Sequence, residues 1–148
     1  NIDITELGMK NSSVFLMPRG TVIFSSRAPI GYIAIANCPL TTNQGFKSVI
    51  PFKNIGTPFV YYFLKNNVAL IENMASRSTF KEVSGSTMKS IPVRIPVKEI
   101  IDRFNMLCEP ILAQQEFIEN ENKKLTILKK SLLPKLMSGE IDVSNIKI

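Results

Sequence analysis

The chain has 148 residues, 45% of them hydrophobic and 20% charged, which supplies one modest core and leaves too little length for two. Nine Phe and three Tyr exclude disorder as the dominant state, and no apolar run nears the roughly 18 residues that cross a bilayer, so a soluble, cytoplasmic chain with no membrane partner is expected. The net charge is +6, and all of it falls in residues 1–97, which hold ten Lys/Arg against four acids, a balance that suits either a polyanionic partner or simple solubility.

In chain order, β-rich runs at 21–24, 32–36 and 46–51 predict three strands, each bounded by Gly, Pro or Asn. Residues 58–74 change to spacings of three and four (Phe59, Val60, Phe63, Leu64, Val68, Leu70, Ile71), which predicts one amphipathic helix packed on a sheet. Residues 76–89 predict a polar loop, broken by Gly85 and pinned by Phe80. Residues 90–96 predict a short edge strand, because Pro92 and Pro96 each remove a ladder donor.

No glycine stands between Pro96 and Gly139, and this stretch predicts a long helix of roughly 57 Å at 1.5 Å per residue. Phe104, Ile111, Ile118, Leu125 and Leu132 recur every seven residues, with Leu107 and Leu128 filling the second apolar position and Gln114 and Glu121 replacing it in the middle. That narrow stripe, two positions wide, predicts a coiled-coil seam for a partner helix. Folding back on the chain's own domain is the alternative. Acids dominate the first half of the arm and lysines the second, Pro110 is expected to kink or restart the helix, and Gly139 to stop it. The fold class is therefore α+β: a mixed β-rich domain over 1–96 and a helical arm with its tail over 97–148.

Catalysis has little to stand on. The chain contains no histidine, no GxGxxG, no GxxxxGKS/T and no Asn/Asp-Pro-Pro-aromatic run, and its two cysteines, Cys38 and Cys108, lie far apart in dissimilar contexts. No catalytic residue, metal or cofactor is expected. The chemistry-bearing segment is instead 76–89, where Arg77, Ser78, Thr79, Lys81, Ser84, Ser86, Thr87 and Lys89 put three cations and five hydroxyls into one stretch, suited to tracking phosphates or to a solvated loop. Arg27, ahead of the Ala28-Pro29-Ile30-Gly31 turn, either meets phosphate or holds that turn. Asn43 and Gln44 either pair with a base edge or satisfy loop backbone.

Several stretches, in this order, resemble the specificity (S) subunits of type I restriction-modification systems. They are the run from Pro18-Arg19-Gly20-Thr21 through Ser25-Ser26-Arg27-Ala28-Pro29-Ile30-Gly31, then Thr42-Asn43-Gln44-Gly45-Phe46-Lys47, Ser78-Thr79-Phe80-Lys81 with Ser84-Gly85-Ser86-Thr87-Met88, Ile91-Pro92-Val93-Arg94-Ile95-Pro96, and the tail Leu132-Leu133-Pro134-Lys135-Leu136-Met137-Ser138-Gly139-Glu140-Ile141. The resemblance implies one DNA target-recognition domain over 1–96, whose opening strand and glycine-rich turn would precede Asn1, followed by one spacer helix; a full subunit has two of each. It also implies sequence-specific binding of double-stranded DNA. The catalytic steps would belong to separate modification (methyltransferase) and restriction subunits, which use S-adenosylmethionine and ATP. The stretch around Arg27 would then be shared scaffold more than base readout. The spacer helix would pair antiparallel with a second one, in a homodimer or with another recognition half. An assembly protein acting through its arm, with incidental basic charge, is the competing expectation.

Overall fold

Thr5 opens the first regular element of the computed structural model, which describes residues 4–27, 29–75, 81–142 and 144. Its hydroxyl accepts from the Gly8 amide at 3.1 Å and caps a five-residue helix, α1 (Glu6–Lys10), which the sequence pattern did not reveal. The three β-rich runs then form β1 (Val22–Ser25), β2 (Ile33–Ile35) and β3 (Phe46–Val49). They make one antiparallel sheet in the order β2-β1-β3, with Val22 opposite Ile35 and Val49, and Phe24 opposite Ile33 and Lys47. Directly opposed residues share a face, so Val22, Phe24, Ile33, Ile35, Lys47 and Val49 lie on one side of the sheet.

That side carries the core. Val22 and Phe24 cluster with Leu64, Ile71, Ala75, Val83 and Ile91, all buried. The helical stretch divides in two, α2 (Thr57–Asn66) and α3 (Val68–Met74), where a single helix over 58–74 was expected. Asn67 causes the break. Its side-chain amide donates to the Phe63 carbonyl at 2.7 Å, while its backbone N–H goes to Leu64, three residues back. A short polar side chain thus takes a carbonyl that the helix would otherwise use.

Gly31 joins sheet to helix. Its φ is +94°, and an added Cβ would lie 2.4 Å from Val68 Cγ1 at the start of α3. Gly31→Ala is expected to lose about 1–3 kcal/mol, from the left-handed backbone and the overlap together. Urea denaturation reads this directly, and an unchanged midpoint would mean that α3 can retreat from Gly31 at no cost.

Residues 84–96 depart from expectation in two ways. The Ser84 hydroxyl accepts from the Thr87 amide at 3.0 Å and caps a short helix, α4 (Gly85–Lys89), so Gly85 starts a helix where a loop break was expected. Residues 90–96 form no strand. Ile91 is buried, while Val93 and Ile95 are exposed, and two prolines in seven residues leave too few donors to hold a ladder.

The arm is one helix, α5 (Lys98–Met137), of 40 residues. Pro110 does not restart it. Pro110 lacks the N–H that the Met106 carbonyl would accept, a loss of one bond in a long ladder, and the helix runs on through Pro134 as well. Gly139, at φ +74°, ends it as expected, with the Ser138 amide on the Pro134 carbonyl at 3.0 Å and the Ile141 amide on that of Lys135 at 3.2 Å. Compactness divides the chain into Asn1–Cys108 and Glu109–Ile148. The first unit includes the opening turns of α5, where Ile101 is buried, Phe104 meets Tyr62 edge-on at 5.9 Å and the Asn105 amide donates to the Ile55 carbonyl at 2.8 Å. Among the described residues, no helix is long and apolar enough to cross a membrane.

Candidate nucleic-acid interface

Ser26 sits where β1 ends, and it is fully buried. Its amide and its hydroxyl both donate to the Gly45 carbonyl, at 2.8 and 3.0 Å, and its own carbonyl accepts from the Val83 amide at 2.9 Å. One residue therefore ties together three segments distant in sequence: the end of β1, the turn before β3 and the stretch entering α4. Ser25 closes the neighbouring turn, donating to the Pro29 carbonyl and accepting from the Tyr32 amide, both at 2.8 Å. Buried hydroxyls satisfied in this way hold the framework and are not offered to a ligand.

The candidate residues flank this junction. Arg27 follows Ser26 and is exposed; an added Cβ at Gly45 would stand 3.3 Å from its Nε, so its side chain lies along the turn. Asn43 Oδ1 accepts from the Gly45 amide at 2.9 Å, the bond of an Asx turn, and its side chain therefore shapes the loop. The Gln44 side chain is exposed, and its backbone carbonyl accepts from Lys47 Nζ at 3.1 Å. Lys81 is exposed two residues before the Val83 bond. Ser86 and Lys89 are exposed on α4, where the Ser86 and Ser84 hydroxyls are 2.7 Å apart. Arg77, Ser78 and Thr79 lie outside the described residues. The structure thus brings Arg27, Asn43, Gln44 and Lys81 to one junction, with Ser86 and Lys89 on the adjoining helix.

Sequence reasoning missed Lys47 and Glu82. Their charged groups are 3.6 Å apart, and the Lys47 side chain is only 22% exposed. A signal existed: Lys47 is in phase with Val49 on the inward side of an edge strand, where a cation needs a partner.

The second unit, Glu109–Ile148, presents Ile111, Ile118, Leu125, Leu128 and Leu132 exposed along α5, as the heptad places them. Phe117, Ile127, Leu133, Leu136 and Met137 are exposed as well, so the exposed apolar residues spread beyond the two-position stripe expected. In this unit Gln115 bonds Glu119 and Lys124 bonds Glu121, each at 2.8 Å and within one turn of α5. Leu107 is exposed in the first unit, whereas Phe104 is half-buried against Tyr62.

A family model described as the type I restriction modification DNA specificity domain matches residues 1–126. The type I restriction enzyme MjaIX specificity subunit of Methanocaldococcus jannaschii is 35% identical over 147 residues, which cover 98% of this chain and 33% of that protein. The HindI specificity subunit of Haemophilus influenzae is 30% identical over 142 residues, covering 94% of this chain and 31% of that protein. A chain of a solved type I R-M system is 20% identical with a TM-score of 0.48, over 81% of this chain and 31% of that one. The chain spans about a third of the length of these curated relatives.

Proposed function

Since this chain belongs to the type I restriction modification DNA specificity domain family, we propose that it binds double-stranded DNA sequence-specifically, as the specificity component of a type I restriction-modification complex, and performs no catalytic step itself. The observation that carries this reading is the Ser26 junction, which gathers the Arg27 turn, the Asn43–Gln44 turn and the Lys81 segment into one mostly cationic neighbourhood. Exposed cations there neutralise phosphates and release counterions, and the exposed amide of Gln44 offers a donor and an acceptor to a base edge. Methylation and cleavage would come from modification and restriction subunits docked on the assembly.

The arm serves that assembly. In an antiparallel pair of α5 helices, the acid-rich first half of each faces the lysine-rich second half of the other, so a second copy of this chain is complementary in charge as well as in apolar surface. A two-fold pair of this kind would read an inverted-repeat target. A different recognition half with a matching arm would serve in the same way. The broad apolar face by itself also fits an assembly protein with incidental charge, and salt dependence separates the two. Replacing Arg77, Lys81 and Lys89 together by Ala should weaken duplex binding and flatten the slope of log affinity against log salt by about 0.9 for each phosphate no longer neutralised. A folded triple variant with unchanged slope would place the DNA surface elsewhere.

A further inference from the structure

Lys47 is unusually committed for a cation on a basic domain. It faces the core side of the sheet opposite Phe24, donates to the Gln44 carbonyl at 3.1 Å and stands 3.6 Å from Glu82 Oε1. Gln44 belongs to the turn whose Gly45 carbonyl takes both Ser26 donors, and Glu82 directly precedes Val83, whose amide bonds Ser26. One ammonium therefore braces the same two segments that Ser26 joins, and each of them carries an exposed candidate, Gln44 on one and Lys81 on the other.

We infer that Lys47 and Glu82 are positioning residues for DNA recognition: the pair reads nothing itself, and it fixes the Asn43–Gln44 turn relative to the Lys81 segment so that contacts from both meet one duplex in register. This rests on the DNA-binding reading above. Glu82 makes the inference sharp, because simple electrostatics gives it the opposite effect. It is one of four acids in residues 1–97, and a carboxylate close to bound phosphates repels them. If Glu82 acts only as a charge, Glu82→Gln tightens binding to every duplex alike. If it positions, Glu82→Gln loosens binding to a preferred sequence while binding to arbitrary sequence holds or tightens.

The experiment uses the whole chain and two probes: duplexes enriched from a random pool by the wild-type chain, and the unselected pool. The ratio of the two affinities is measured for wild type, Glu82→Gln, Lys47→Met, the double variant and Lys47→Arg. The expected result is that each single variant loses about fivefold in the ratio, the scale of one well-placed ion pair. The double variant should lose no more than either single one, and Lys47→Arg, which keeps charge and donors, should retain most of the ratio. A ratio unchanged in Glu82→Gln, or losses that multiply in the double variant, would overturn the inference and leave the DNA-binding reading intact. Lys47→Met weakening both probes equally would also overturn it, by making Lys47 a direct phosphate ligand. A wild-type chain that enriches no sequence would overturn both.

Discussion

Changing Ile118 and Leu125 together to Asp is expected to turn a dimer into a monomer in light scattering, with the sheet domain still folded. Both side chains are exposed, at 47% and 59%, near the middle of the apolar face of α5, and neither contributes to the core cluster. In an antiparallel pair they occupy the centre of the seam, where four introduced carboxylates per dimer would have to be desolvated without partners. Each such burial costs several kcal/mol, more than the apolar surface returns. Circular dichroism of the variant should keep the signal of a folded domain. A wild-type chain that stays monomeric at tens of micromolar would instead assign the arm to another recognition half.

Phe24→Ala is expected to lose about 3–5 kcal/mol of folding stability, a large part of the roughly 5–15 kcal/mol that holds a domain of this size. Phe24 is fully buried on the central strand and packs with Val22, Leu64, Ile71 and Val83, so truncation opens a cavity bounded by both the sheet and its helices. With an antiparallel strand paired on each side, the site has little freedom to collapse. Thermal unfolding should show a much lower midpoint, and a midpoint near that of wild type would contradict this placement of the core.

The strands were legible because 21–24, 32–36 and 46–51 join β-branched and aromatic residues to Gly, Pro and Asn boundaries, and both signals act locally. The division at Asn67 was not, since the spacing of apolar residues continues across it and only a side-chain bond to the Phe63 carbonyl interrupts the helix. At 90–96 the apolar alternation suggested a strand, yet a strand needs a neighbour and donors, and two prolines deny the second. At Pro110 a kink or a restart was expected, and the helix does not restart, because a long ladder absorbs the loss of one bond. Of the candidate interface, the residue types at 27, 43–44 and 81 were readable. Their convergence was not, because it depends on Ser26 bonding partners 19 residues onward and further along the chain. The Lys47–Glu82 pair is non-local for the same reason.

The most direct measurement is binding of the wild-type chain to a random pool of duplex DNA across a salt series, followed by repeated selection of the bound fraction. A sequence-reading domain gives an affinity that falls linearly on a log–log plot against salt, and a pool that converges on a shared motif, arranged as an inverted repeat if the chain pairs with itself. Affinity indifferent to salt, together with a pool that stays random through selection, would contradict DNA recognition by this chain.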